Sequence, residues 1–334
     1  MSGGAVMSNI LVFSGRASSK LGTEIAQALG VKLGQPSIAE FSDGEPNYSL
    51  AGQNIHGRHI VLVQSTPRSV QRNYFDLWGL LGCVQNLMKH GQQPASVIVV
   101  LAFMGFRRQE RETVLGEAVM ARIMAEFLKT LPVTHVILVD PHALELALFF
   151  DPLPVRVVDA LLAKVRALRE IFCKEEWGTA PKRVICPDTG REDGTARLAE
   201  ALGAPLIRYN KKRPSFNETR VTGCRDPETS VTGCLCIIND DEMDTGKTSM
   251  DVGQILVESG ARGLLIIVTH GVLSGNAFVN IVRFPDVLGV AISNTVYLPW
   301  EKRSDKIMSY SVVPEIAPAV QACMQEAVEA EREM

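Results

Sequence analysis

The stretch Leu235-Cys236-Ile237-Ile238-Asn239-Asp240-Asp241-Glu242-Met243-Asp244-Thr245-Gly246-Lys247-Thr248-Ser249 runs from an apolar segment through an acidic turn into a helical pattern. The segment 235–238 is short and apolar at every position, which suits a strand buried on both faces of a parallel sheet. A helix begins near Thr248. Polar residues just past the carboxyl end of such a strand lie where open α/β sheets bind ligands. The turn Asp244-Thr245-Gly246-Lys247-Thr248 presents backbone N–H groups and two hydroxyls at a helix start. Helix geometry and dipole make this an anion site, each favourable charge contributing about 0.3–1 kcal/mol. Gly246-Lys247-Thr248 does not extend to a nucleotide P-loop. The Walker spacing requires a glycine where Asp241 stands, and a carboxylate there repels phosphates. Asp240 and Asp241 instead suit vicinal hydroxyls, which donate to carboxylates. A plain Asp/Thr turn capping a helix would use the same residues.

The same rhythm extends in both directions. Apolar, β-rich runs recur at 10–13, 59–63, 96–101, 135–139, 183–186, 264–269 and 287–292. Helical patterns lie between them at 20–29, 73–90, 116–128, 160–171, 194–202, 248–259 and 276–281. Strand–helix alternation predicts an α/β fold with parallel sheets flanked by helices. Asp151-Pro152-Leu153-Pro154 breaks helix and strand alike. The expected division is therefore residues 1–152, 153–310 and a C-terminal segment 311–334. That last segment contains an amphipathic helix over 314–329 that packs back on the first domain. The polar stretch 209–230, rich in Lys, Arg, Pro, Asn and Thr, reads as a long functional loop between two strands.

The chain has 334 residues, 46% of them hydrophobic, enough for two cores. With 34 basic and 37 acidic residues, its formal net charge of −3 argues against bulk nucleic-acid binding. The 7 cysteines are scattered and lack the usual zinc spacings. They read as reduced thiols of a cytoplasmic protein. The start shows no basic region followed by an apolar run, and no apolar stretch reaches the roughly 18–20 residues that span a bilayer.

At this point the chain resembles the ribose-phosphate diphosphokinases, or phosphoribosyl pyrophosphate (PRPP) synthetases, from about residue 10 to 313. The motifs recur in order. Phe41-Ser42-Asp43-Gly44-Glu45 resembles the family's nucleotide motif, and Gly105-Phe106-Arg107-Arg108-Gln109-Glu110-Arg111 its ATP loop. Asp140-Pro141-His142 is similar to its metal-site Asp-x-His, and Pro187-Asp188-Thr189-Gly190 to its second metal-site aspartate. Lys211-Lys212-Arg213-Pro214 resembles the flexible catalytic loop, 240–248 the ribose-5-phosphate loop, and 269–275 a further signature. The resemblance implies a type I phosphoribosyltransferase-like fold of two similar domains, ATP-side and sugar-side, in at least a homodimer. It implies transfer of the β,γ-diphosphoryl group of MgATP to ribose 5-phosphate.

It also implies roles. Lys211, Arg213 and His142 are catalytic, and His142 and Asp188 hold Mg²⁺. Phe41, Asp43, Glu45, Arg108 and Gln109 bind ATP. Asp240, Asp241, Asp244, Thr245, Gly246, Lys247 and Thr248 bind ribose 5-phosphate. The residue chemistry agrees. Arg108 offers planar donors to phosphates, and Phe41 a face to adenine. Two cations on one loop can stabilise transition-state charge, as arginine fingers do.

Four features depart from the pattern. Lys247 stands where a small residue is usual. The segment 112–116 lacks the basic, proline-containing stretch of the phosphate-activated class. Arg191-Glu192-Asp193 replaces a small and basic run, and Glu110 replaces Asp. Two other readings remain open: a phosphoribosyltransferase that uses PRPP, and a non-catalytic regulatory homologue of the synthetase.

Overall fold

The computed structural model describes residues 9–173, 178–188, 192–215, 218–226 and 228–333, with only the backbone at 211–215 and 218–222. The chain divides into two compact units. The first comprises Met1–Asp159, Thr295–Tyr297 and Val313–Met334, the second Ala160–Asn294 and Leu298–Val312.

The first unit opens with β1 (Ile10–Ser14) and α1 (Ser19–Ala28). A hairpin of β2 (Ser37–Glu40) and β3 (Pro46–Ser49) follows. Then come β4 (His59–Val63), α2 (Val70–Lys89), β5 (Ser96–Leu101), α3 (Met120–Lys129), β6 (His135–Val139) and β7 (Val155–Val158). The main sheet has the order β1-β4-β5-β6-β7, and every pair in it is parallel. β4, β5 and β6 are buried at every position, as their apolar runs predict. Ile60, Leu62, Val97, Val99, Leu101, Val136 and Leu138 form one core with Leu77, Leu80, Leu81 and Val84 of α2 and Ala121, Ala125 and Leu128 of α3.

The second unit contains β8 (Lys182–Cys186), β9 (Leu206–Ser215), β10 (Glu218–Cys224), β11 (Leu235–Met243), β12 (Gly263–Gly271), β13 (Val287–Ser293) and β14 (Ile307–Tyr310). Its helices are α4 (Leu161–Phe172), α5 (Glu192–Leu202), α6 (Lys247–Glu258) and α7 (Ala277–Arg283). The strand order is β10-β9-β8-β11-β12-β13-β14, parallel except for the β9–β10 pair. Alternate residues of β11 and β12 enter different cores. Cys236, Ile238, Leu264, Ile266 and Val268 pack with Val252 and Leu256 of α6. Leu235, Ile237, Leu265 and Ile267 pack with Leu168, Ile171 and Leu198 of α4 and α5. Burial on both faces is why these strands are apolar without alternation. The final helix, α8 (Val313–Glu333), belongs to the first unit, where it contacts α1, β5, β6 and β7.

Three expectations are corrected. The polar stretch 209–230 is largely a two-stranded ribbon: β9 pairs with β8 only through Arg208, then runs on against β10. Edge strands of this kind carry charge and proline, which hides their β character from an apolar pattern. The helix expected over 116–128 starts at Met120, because Gly116 adopts φ +92°. There the Glu117 carboxylate accepts from the Thr113 hydroxyl at 2.5 Å and from the Thr113 backbone N–H at 3.0 Å. Finally, 239–243 is not loop but the end of β11, in register with β12 from Asn239↔Ile267 to Met243↔Gly271.

His59 and His135, each the first residue of a strand, are both buried. Burial lowers both imidazole pKa values below 6.5, opposed by Glu331 near His59 and by Glu326 near His135, while Arg156 adds to the lowering at His135. The unfolded chain therefore takes up protons first as pH falls below 6.5, and stability drops with it. The urea midpoint is expected to fall between about pH 7.5 and about pH 5.5, and to fall less in a His59→Gln/His135→Gln double variant.

Candidate functional site

In the first unit the predicted nucleotide residues sit at the tip of the β2–β3 hairpin. Phe41 N–H donates to the Glu45 carbonyl and Gly44 N–H to the Phe41 carbonyl, both at 2.9 Å. The Asp43 carboxylate accepts from the Glu45 N–H at 3.1 Å. Gly44 turns the chain at φ +90°. Phe41 is 56% exposed, so its ring is not a core aromatic. Asp43 and Glu45 are exposed beside it.

An isolated two-stranded hairpin is marginal in water, and this one is held from beneath. The buried Asp76 carboxylate of α2 receives the Arg16 guanidinium at 2.9 and 2.6 Å and the Tyr48 hydroxyl at 3.1 Å. Arg16 also reaches Glu40 at 2.6 Å, and Arg72 reaches the same carboxylate at 2.8 Å. The Tyr48 ring lies on Gly79, where a Cβ would come within 2.3 Å of it. Burial and the Asp76 charge push the Tyr48 hydroxyl up to about 12. The hydrogen bond to Asp76 raises Arg16 further above its ordinary value. Sequence reading missed this anchor, because Asp76 and Gly79 look unremarkable within a helical pattern.

The carboxyl ends of the adjacent strands β5 and β6 carry the next two motifs. Gly105 N–H donates to the Thr66 hydroxyl at 2.6 Å, and its carbonyl accepts from the Tyr74 hydroxyl at 3.0 Å. Phe106 adopts φ +61° and stacks on Tyr74 with centroids 5.9 Å apart. Arg107 is buried with its guanidinium 4.2 Å from the Phe103 ring centroid, whereas Arg108 and Gln109 are exposed. The loop thus uses one arginine for packing and leaves the predicted pair outward. At the end of β6, Asp140 adopts φ +42° and donates its N–H to the Val158 carbonyl at 2.8 Å. Left-handed backbone at a non-glycine residue is costly and recurs at functional sites. His142 follows it, half-buried.

In the second unit the strand order reverses beside β8: β9 lies on one side and β11 on the other. Such a switch point opens a crevice at the carboxyl ends of its strands. The end of β8 leads to Asp188, half-buried, and the end of β11 supplies Asp240 and Asp241. Asp241 is buried, while Asp240 is half-exposed and accepts the Asp241 N–H at 2.9 Å. The turn proper is Asp244–Gly246, closed by Gly246 at φ +72° as N-cap of α6. The segment after β12 braces it. Val272 and Leu273 N–H donate to the Met243 carbonyl at 2.9 and 3.0 Å, and Ser274 N–H to the Asp244 carbonyl at 2.9 Å. That is a bracing role for the 269–275 signature. Thr245 is exposed and Thr248 half-buried. The Lys247 ammonium lies 2.6 Å from Asp251 one turn on, along the helix. Its ammonium is thus engaged by a carboxylate of the same helix.

Lys211 and Arg213 lie in β9, Lys211 opposite Val221 in β10; their side chains fall outside the described residues. Thr189 and Gly190 also fall outside them. The ribbon is tied at its base. Arg208 reaches Glu192 at 2.6 Å and Asp226 at 3.1 Å, and Arg225 reaches Glu192 at 2.7 Å. Arg225 and then Arg208 lower the Glu192 carboxyl below its ordinary range. Sequence reading also missed Lys164, buried on α4, which reaches Asn239 and Asp240. Its signal was a lysine on the apolar stripe it shares with Leu168 and Ile171. Among the described residues no cluster of three or more His, Cys, Asp or Glu forms a ready metal cage. No helix among them is long and apolar enough to cross a membrane.

A family model for the N-terminal domain of ribose phosphate pyrophosphokinase matches residues 10–131. A ribose-phosphate pyrophosphokinase of Halalkalibacterium halodurans is 32% identical over 312 residues, 93% of each chain. One of Caldanaerobacter subterraneus is 31% identical over 312 residues, 93% of this chain and 94% of that one. The crystal structure of phosphoribosylpyrophosphate synthetase from Mycobacterium smegmatis is similar at a TM-score of 0.81 and 26% identity, over 95% of this chain and 99% of that one.

Replacing Gly79 by Ala is expected to push the Tyr48 ring outward and free the hairpin. Hydrogen exchange should rise over residues 38–48 and stay unchanged in β4 and β5. Asp76→Ala should cost about 3 kcal/mol in urea unfolding, the low end for a buried pair because Arg16 keeps some solvent.

Proposed function

The chain belongs to the ribose-phosphate pyrophosphokinase family, and on that premise we propose that it transfers the β,γ-diphosphoryl group of ATP to ribose 5-phosphate. The anomeric hydroxyl oxygen bonds to the β-phosphorus, the α,β-bridging oxygen leaves with AMP, the hydroxyl proton is released, and PRPP forms. The observation that carries this reading is the end of β11 at a sheet switch point, with carboxylates followed at once by a glycine-closed turn at a helix start.

Each group has a task. Asp240 and Asp241 accept from the sugar's vicinal hydroxyls, Asp240 being the more open of the two. The turn Asp244, Thr245, Gly246 and Thr248 takes the 5-phosphate through amides and hydroxyls. Because Lys247 pairs with Asp251, we assign the phosphate to these groups and not to the ammonium. In the first unit Phe41 offers its exposed face to adenine, Asp43 and Glu45 accept from the nucleoside, and Arg108 and Gln109 meet the phosphates. Lys211 and Arg213 stabilise the charge that develops on the transferring group.

Asp188 and His142 are the proposed protein ligands of Mg²⁺. Each offers a single donor, a carboxylate in the second unit and an imidazole in the first, and a single donor suits an ion that keeps most positions for phosphate oxygens and water. When bound, it supplies neutralisation of charge on the diphosphoryl oxygens. A cytoplasmic, homo-oligomeric enzyme completes the proposal. The 7 cysteines support the compartment, since none is in a disulfide.

The purified protein is expected to release AMP from ATP only when ribose 5-phosphate and Mg²⁺ are present, with PRPP identified by mass spectrometry. Absence of AMP release would favour the regulatory homologue, and PRPP consumption with a nucleobase would favour a phosphoribosyltransferase. Lys211→Ala should lower kcat by about 10³-fold with little change in ATP affinity, since its charge is aimed at the transition state. Equal loss of ATP binding would remove that role. Activity is expected without added inorganic phosphate, because the exposed segment 112–116 lacks basic residues. A steep phosphate requirement in steady-state rates would overturn this.

A further inference from the structure

The sugar-binding end of β11 is polar while still paired inside the sheet, and the groups that satisfy it form a chain. Lys164 is 6% exposed, and its ammonium donates to the Asn239 side-chain oxygen at 3.0 Å and to the Asp240 carbonyl at 2.9 Å. The Asn239 amide nitrogen donates to the Thr195 hydroxyl oxygen at 3.0 Å. Thr195, fully buried on α5, is a near neighbour of Cys186 at the end of β8. The Cys186 thiol donates to the Asp188 carbonyl at 3.0 Å.

We propose that Lys164 is a positioning residue for the sugar site: through this buried relay it sets the end of β11 and joins it to the Asp188 segment. The orientation of the Asn239 amide follows from it. An ammonium only donates, so Asn239 must turn its oxygen toward Lys164 and its NH₂ toward Thr195. The Thr195 oxygen accepts from that NH₂, and Thr195 sits beside Cys186. The thiol hydrogen in turn goes to the Asp188 carbonyl. The two strand ends so joined, β8 and β11, are those flanking the switch point. The proposal rests on the assignment of 240–248 to ribose 5-phosphate.

Lys164→Met keeps the aliphatic stem and removes the ammonium. It is expected to raise KM for ribose 5-phosphate about tenfold, the loss of charge-assisted hydrogen bonds, with KM for ATP changed less than about twofold. A Lys164→Met/Asn239→Leu double variant replaces the buried polar pair with apolar groups, which restores folding stability when the single variant is weakened. In it the rise in KM for ribose 5-phosphate should persist. Recovery of that KM along with stability would overturn the positioning role, as would equal changes in both KM values. Hydrogen exchange separates this idea from the functional reading. Amides of residues 240–246 should exchange faster in Lys164→Met than in the wild type, whether or not the wild type releases AMP. Unchanged exchange there would sink the relay. A wild type without ribose-5-phosphate-dependent AMP release would sink the functional assignment instead.

Discussion

Parallel pairing of β11 with β8 on one side and β12 on the other, under helices on both faces, constrains everything in the second unit. A strand in that position cannot carry a polar residue along its length without leaving an unsatisfied group in the core. Its chemistry is therefore confined to its carboxyl end. There the sheet order reverses, so the neighbouring strand ends diverge and leave room for a ligand. The change from Ile238 to Asn239 marks the point where the core stops and the site begins.

The polar residues at that end are nevertheless still in register with β12, so they need internal partners. Lys164 and Thr195 supply these from α4 and α5. Such networks raise specificity of position when every member is satisfied, and cost stability when one is missing. The same economy shapes the 269–275 segment, whose amides close onto Met243 and Asp244. Two elements that look like separate motifs in the chain are one support in space.

The first unit meets a different constraint. Its exposed tip at 41–45 lies on a hairpin outside the main sheet. Such a hairpin has little apolar area of its own, so one carboxylate, Asp76, and one missing side chain, at Gly79, fix it to α2. The ribbon that carries Lys211 and Arg213 is held comparably, by ion pairs of Arg208 and Arg225 with Glu192 and Asp226 at its base. These latter pairs are partly exposed and contribute less than the Asp76 cluster. A base held by partly exposed ion pairs fixes the ribbon less firmly than the buried carboxylate fixes the hairpin.

Much of this was legible in the chain order of residues. The α/β class, the buried strands and the acidic turn before α6 all follow from local patterns: continuous apolar runs, their spacing, and Gly246 where a left-handed turn is needed. Residues 41–45 and Asp140 were marked only by the family resemblance; the outward tip and the positive φ at Asp140 came from the structure. The ribbon over 206–224 was not legible, because an edge strand rich in Lys and Arg has no apolar period to reveal it. Nor was the ion pair of Lys247, which depends on a partner one helical turn away. The sequence by itself determined where the acidic strand end must lie, since burial on both faces leaves polar residues only one place to go. Only the tertiary structure decided that 239–243 remains strand and that Lys164, 75 residues from Asn239, holds it. Hydrogen bonds across that distance are set by how α4 and α5 pack on the sheet, and no local pattern encodes them.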